Sequence, residues 1–189
     1  MPFVFLVKTA RMGTPDDERK WIQDSLAGDT NAYAELIGRY QKMIHAVAFR
    51  MTGSMADSED LAQETFMRAY EQLGSFRAES KFSTWLCRIT VNACLNWRAR
   101  EGRREAVHRK WAEDVLVQSD GAANTNADEL TARVQAALNR LPAKQRAAIV
   151  LTVYEEMNHA EAARALGCSE TTVSWRVFTA RNKLKRWLK

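Results

Sequence analysis

Apolar residues recur along this chain in steps of three and four, the spacing of amphipathic helices, and nothing reads as a strand. The clearest stripe is Tyr33, Leu36, Ile37, Tyr40, Met43, Ile44, Val47, Ala48 and Met51, which predicts a helix from about 32 to 51. A shorter helix ahead of it starts at Thr14. Pro15 suits the first helical position there, and Asp16, Asp17 and Glu18 favour the positive helix end. Gly28 ends this helix and Thr52-Gly53 ends the next. A third helix, over about 56–73, is expected to bury Leu61, Phe66, Ala69, Tyr70 and Leu73. Its other face is acidic, with Asp57, Glu59, Asp60, Glu64 and Glu71 against Arg68, and Gly74 closes it. A polar loop over 75–80 surrounds Phe76. The fourth helix then starts near Lys81 and buries Phe82, Trp85, Leu86, Ile89 and Ala93 before turning basic.

From Ala112 to Leu130 the character changes. Glu113, Asp114, Asp120, Asp128 and Glu129 face no Lys or Arg, and 119–126 is rich in small polar residues, as in a linker. A second helical unit follows, from about Ala127 to Leu188, broken at Leu141-Pro142, Asn158 and Gly167. Asn158 with Glu161 forms a capping-box-like pair, and Ala160, Ala163 and Leu166 give one apolar face. Gly167 permits a left-handed turn and Ser169 caps the next helix. That helix buries Val173, Val177, Ala180, Leu184 and Leu188, and its other faces are polar and basic. Two helices around such a corner form the arrangement that enters a DNA major groove, although ordinary helical hairpins share it. Charge favours DNA: from Arg164 to Lys189 there are seven Lys or Arg against the single Glu170.

Composition narrows the classes. With 46% hydrophobic residues the chain of 189 can bury a core, and its formal charge of +5 makes a polyanionic partner plausible. The three Cys show no metal-ligand spacing with the three His. Cys87 and Cys94, if helical, stand about 10 Å apart, too far for a disulfide. Buried thiols in a reducing cytoplasm are the expectation. His45, His108 and His159 are scattered, and neither a phosphate loop nor a nucleophile-base pair is present, so catalysis, metal and cofactor are not expected. No apolar run reaches the ~20 residues of a membrane span, and no membrane contact is expected. The first eleven residues read as a loose extension or an over-long start.

Two motif sets now carry a family resemblance. Asp57-Ser-Glu-Asp-Leu-Ala-Gln-Glu-Thr-Phe66, Gly74-Ser-Phe-Arg77 and Phe82-Ser-Thr-Trp-Leu-Cys-Arg-Ile-Thr-Val-Asn92 resemble region 2 of the extracytoplasmic-function sigma factors of bacterial RNA polymerase. Leu141-Pro142-Ala-Lys-Gln-Arg146, Tyr154-Glu-Glu156, Val173 and Arg181 resemble their region 4. The resemblance spans about 29–188. It implies an all-α protein of two small domains: an extension and first helix over 1–28, a region 2 bundle over 29–111, a flexible acidic linker over 112–129 and a region 4 helix-turn-helix over 130–189.

The resemblance also implies roles. Asp57, Glu59, Asp60, Gln63 and Glu64 would dock core RNA polymerase, on what is otherwise a merely solvated face. Ser75, Phe76 and Arg77, with Arg88, Asn92, Asn96, Arg100 and Arg103, would hold the melted -10 element of promoter DNA. Phe76 is the candidate for a pocket that captures a flipped base, with packing on the core as the rival. Arg98, Arg104, Arg109 and Lys110 extend the basic strip; Trp85 reads as core, and Trp97 as either stacking on DNA or packing internally. The acidic linker would run near the template strand and RNA path, with plain solubility an equal rival. Thr171, Thr172, Ser174, Trp175, Arg176, Phe178 and Arg181 would meet the -35 duplex. An anti-sigma factor is the expected controlling partner, and the cytoplasm the expected location.

One departure stands out: many relatives carry Arg at the positions of Ser174 and Thr179 and a small residue at Trp175. This leaves Arg176 and Arg181 as the best base contacts and suggests an unusual -35 sequence or more reliance on backbone shape. The main alternative is a stand-alone helix-turn-helix regulator that does not bind polymerase. A sigma-like decoy for an anti-sigma protein is a lesser one, since the chain has no room for a receiver domain.

Overall fold

The computed structural model describes residues 14–111 and 126–188, with eight α-helices and no strand among them. In chain order these are α1 (Pro15–Leu26), α2 (Thr30–Thr52), α3 (Met55–Glu71), α4 (Phe82–Trp111), α5 (Asn126–Asn139), α6 (Ala143–Ile149), α7 (His159–Leu166) and α8 (Glu170–Trp187). Local chemistry sets most of the ends. Thr14 and Asp17 form a reciprocal capping box at α1, with Pro15 at the first helical position. Asp29 and Ser54 cap α2 and α3 through their side chains. Gly53 ends α2 at φ 79 and Gly167 ends α7 at φ 59, both left-handed.

Some expectations shift. The third helix stops at Glu71, and a short 3-10 turn over Leu73–Ser75 carries the chain past Gly74. Tyr70 is 42% exposed rather than buried, because its ring leans over Tyr33 at the edge of the bundle, 4.8 Å between centroids. On α7 the buried face is Ala162, Ala163 and Ala165, with Ala160 and Leu166 half-buried. The expected linker lies mostly outside the described residues, and from Asn126 its last positions already belong to α5. The expected extension over 1–11 lies outside them as well.

Helices α1–α4 enclose one apolar cluster of Ile22, Tyr33, Leu36, Ile44, Ala62, Ala69, Leu73, Phe82, Leu86 and Ile89. A second cluster joins the two halves of the chain. Val47, Met51, Leu61, Cys87, Val91 and Cys94 from the first half pack with Leu138, Leu141, Ile149, Val150, Leu151 and Ala163 from the second. The halves therefore share a core across a seam. Burial pushes the Cys87 and Cys94 thiols up to about 12, so both stay protonated and act as small apolar groups.

The seam is also polar, for a reason built into helices. The last carbonyls of an α-helix run out of partners within it. In α2 the Gly53 N–H still reaches Phe49 O at 2.7 Å, and Arg50 O and Met51 O find partners elsewhere. Gln135 Nε2 reaches both Phe49 O and Arg50 O at 3.4 Å, and Arg146 Nη1 donates to Met51 O at 2.6 Å. Arg146 is fully buried, and its Nε and Nη2 have no hydrogen-bond partner among the described residues. Desolvation, with Arg98 nearby, pulls its guanidinium down to about 10; at neutral pH it remains charged. Arg98 Nη2 donates to Asn139 O at 3.2 Å, and Arg50 pairs with Glu155 at 3.6 Å while lying over the Tyr154 ring. Gly53 abuts Asn139 so closely that an added Cβ would sit 2.2 Å from Asn139 Nδ2. Between α6 and α7 the chain passes through a π-helical turn over Val150–Tyr154, and Glu156 follows at φ 52.

Candidate nucleic-acid interface

Three surfaces collect the residues singled out by sequence. The first is the outer face of α3. Glu59, Asp60 and Gln63 are exposed, Asp57 and Glu64 half-buried, and Glu64 forms an ion pair with Arg68 one turn later. That pairing cancels the only cation on the face and leaves it acidic. Asp60, Gln63, Glu64, Met67, Arg68 and Glu71 line a shallow groove in which Met67 stands 67% exposed. Met67 escaped the sequence reading, although its position three and four residues beyond Glu64 and Gln63 places it on this face. A flexible thioether ringed by carboxylates suits a helix carrying both apolar and basic side chains.

The second surface runs from the loop before α4 along that helix. Ser75 Oγ donates to Gln72 O at 2.7 Å, closing the turn, and Arg77 is exposed. Ala78 follows at φ 54, a left-handed conformation that costs a non-glycine residue about 1–2 kcal/mol and marks the loop as held in a set shape. Phe76 packs back onto the bundle, edge-on to Phe82 at 5.2 Å and tilted against Trp85 at 5.5 Å, and is half-buried. Trp85 is half-buried against the same cluster. From there Arg88, Asn92, Asn96 and Arg103 lie on one side of α4, with Arg100 on its flank, all exposed. From Arg88 to Arg103 this stripe runs about 22 Å at 1.5 Å per residue. Two members of the wider basic strip are diverted: Arg98 is half-buried in the seam, and Arg104 pairs with Glu101 at 2.9 Å. Trp97 packs against the shared core. The side chains of Arg109 and Lys110 fall outside the described residues.

The third surface is the corner of α7 and α8. Asn158 and Glu161 cap α7 reciprocally at 2.9 and 3.0 Å, and Ser169 Oγ accepts from the Thr172 backbone at 3.2 Å. Val173, Val177 and Ala180 are buried, which turns Thr171, Ser174, Trp175, Phe178 and Arg181 outward. Thr172 is half-buried beside its cap. Arg176 does not join the outward set: it is half-buried, and its Nη1 donates to Cys168 Sγ at 3.5 Å. Its position next to Val177 and three after Val173 puts it at the edge of the packed face, which the helical phase foretells. Lys81, where the loop meets α4, pairs with Glu161 at 3.4 Å and links the second surface to the third.

The Sigma-70 region 2 family profile matches residues 36–104, and that of Sigma-70, region 4 matches 131–184. SigM, an ECF RNA polymerase sigma factor of Mycobacterium tuberculosis, is 37% identical over 163 residues, 86% of this chain and 80% of its own length. The chain belongs to the ECF sigma factors. Solved structures agree on the fold. The sigma factor RpoE of Bartonella quintana, in complex with the anti-sigma factor NepR, superposes with TM-score 0.65 at 27% identity, covering 82% of this chain and 94% of that one. CnrH, in complex with the cytosolic domain of CnrY, gives 0.67 at 27% identity, covering 92% and 97%.

In an ECF sigma factor the two matched regions correspond to the two helical halves seen here. The seam between them is formed by residues of both regions. Among the described residues no cluster of His, Cys, Asp and Glu is placed to hold a metal ion, and no helix is long and apolar enough to cross a membrane.

Proposed function

We propose that this ECF sigma factor binds core RNA polymerase through the acidic face of α3, engages the melted -10 strand with the loop of Ser75–Arg77 and the stripe on α4, and reads the -35 duplex with α8. The observation that carries this reading is the separation of charge. An acidic helix face with an exposed methionine stands apart from an exposed α4 stripe rich in Arg and Asn and from an exposed α8 face flanked by Arg and Lys, within one chain matched over both sigma regions. Carboxylates repel phosphate, so α3 suits a protein partner, whereas the α4 stripe and α8 suit nucleic acid. Phe76, seated edge-on against Phe82 and Trp85, forms one wall of an aromatic step on which an extruded base can stack.

Distance makes the seam part of the mechanism. Elements about 25 base pairs apart are separated by about 85 Å at 3.4 Å per step. A packed chain of this length has a radius of gyration of only about 16 Å. Engaging both elements on an undistorted duplex therefore requires the seam to open, and the packed form is the free or restrained state. The complex of RpoE with NepR supports an anti-sigma protein as the partner that restrains this chain as well. Action on RNA polymerase places it in the cytoplasm, with no catalysis of its own.

Co-purification with core RNA polymerase tests the reading, comparing the wild type with the Asp60→Arg plus Glu64→Arg double variant, both checked for helix content by circular dichroism. Binding by the wild type and its loss in the variant is the expected result. If the wild type fails to bind core yet retards promoter DNA, the stand-alone regulator replaces this account.

A further inference from the structure

Over the first three turns of α8 the centre of the outward face lacks the groups that usually read bases. Opposite the buried Val173, Val177 and Ala180, at 100° per residue, stand Thr171, Trp175 and Phe178, with Ser174 beside them. Trp175 is 61% exposed and Phe178 66%. The one arginine in these turns, Arg176, is drawn back to Cys168. No guanidinium or carboxamide therefore occupies the outward centre of the first three turns, and those are the groups that hold guanine or adenine through two hydrogen bonds. What the helix offers there is two aromatic rings and two hydroxyls; exposed Asn182 follows one turn beyond Phe178, with exposed Arg181, Lys185 and Arg186 flanking it.

This combination selects an occupant. The flanking cations complement a phosphate backbone and fix the helix against a duplex. In the major groove the apolar group that a base pair displays is the thymine C5 methyl, and thymine O4 beside it is an acceptor that the Trp175 indole N–H can meet. The rise from residue 175 to 178 is about 4.5 Å, a little over one base-pair step of about 3.4 Å. The two rings thus fall on neighbouring base pairs.

We propose that Trp175 and Phe178 are specificity-determining residues that read thymine methyl groups in the major groove, so that the -35 element of this sigma factor is defined at its centre by adjacent A·T pairs rather than by guanine. This rests on the reading above in that α8 enters the -35 duplex. It goes further in naming the base chemistry and the two side chains that read it.

Duplexes are selected by the full-length chain, with and without core RNA polymerase, from a library randomised over the -35 region. Wild type enriches thymine at one or two adjacent positions. Trp175→Ala plus Phe178→Ala loses that preference while keeping helix content and salt-dependent DNA binding. Deoxyuridine is then placed at the enriched thymines, which removes only the methyl. Wild-type affinity falls about four-fold per methyl, the worth of burying one such group, and the double variant is indifferent. If wild type binds both duplexes equally, or the double variant selects the same sequences as wild type, the rings do not read bases. They then belong to a protein contact. If core is not bound but the deoxyuridine effect persists, the sigma reading fails and the methyl reading stands.

Discussion

Replacing Gly53 with alanine tests whether the seam exists in solution and how much one contact across it contributes. Gly53 holds φ 79, and a left-handed conformation costs an L-residue about 1–2 kcal/mol. The new Cβ would also meet Asn139 Nδ2 at 2.2 Å, so the Asn139 amide must turn away. Turning it breaks the 3.1 Å hydrogen bond from Gln135 Nε2 to Asn139 Oδ1, worth about 0.5–1.5 kcal/mol. The lower backbone entropy of unfolded alanine returns about 0.4–1 kcal/mol. The net expectation is a loss of about 2 kcal/mol. Gly167→Ala is the matched control, since Gly167 is also left-handed at φ 59 but an added Cβ meets nothing within 4 Å. It loses only the conformational part, about 1 kcal/mol.

Urea denaturation of both variants gives the two numbers, and an Asn139→Ala background completes a double-mutant cycle with Gly53→Ala. A coupling of about 0.5–1.5 kcal/mol is expected, together with faster amide exchange in α5 for Gly53→Ala. Equal losses for the two glycines, with no coupling to Asn139, would refute the packed seam as the solution state.

Two further predictions follow from charged groups. The Glu161 carboxyl is held below its ordinary range chiefly by the Asn158 backbone N–H, with Lys81 adding to it. Its contribution is thus complete above the unfolded pKa and disappears as pH falls through the folded one. Glu161→Gln should flatten the acid limb of a stability-pH profile below about pH 4.5, and an unchanged limb would contradict the assignment. At Arg146, lowering the pKa to about 10 costs the charged form about 3 kcal/mol, and this cost is present at every pH below about 10. Arg146→Met removes that cost but leaves the Met51 carbonyl unpaired, so stability should stay within about 2 kcal/mol of wild type. A loss above about 3 kcal/mol in thermal or urea unfolding would mean that the guanidinium is better compensated than its orphaned Nε and Nη2 indicate.

The helices and their ends were legible because their causes are local. Thr14 with Asp17, Asn158 with Glu161, Gly53 and Gly167 each act within a few residues, and the apolar stripes report their own period. The seam was not legible. Val47, Met51, Cys87 and Cys94 read as core without saying whose core, and their partners lie beyond a segment that reads as a linker between separate domains. Arg146 belongs to a motif that marks region 4, yet its guanidinium ends at a carbonyl ninety-five positions earlier. Charge type places a side chain on a surface by default; tertiary packing alone reveals that Arg98 is spent in the seam, whereas the helical phase of Arg176 already sets it at the edge of the packed face. Rings show the same limit: Tyr70 falls on the expected apolar stripe yet lies at the edge of the bundle, and Phe76 sits in a loop where no period says which way it turns. The acidic face of α3 and the outward residues of α8 were found because both are properties of a single helix.

The capping of α2 by the opposite half bears on how freely these halves can be exchanged. Domains that only share a tether can be swapped between relatives as modules. Here the last turn of α2 is completed by Gln135 and Arg146, and the space over Gly53 is filled by Asn139. A chimera with a foreign second half would inherit bare carbonyls and a mismatched apolar face unless those residues travelled with it. Its resting state would then sit further open, so an exchange meant to alter only promoter choice would also alter how readily the factor is held in reserve.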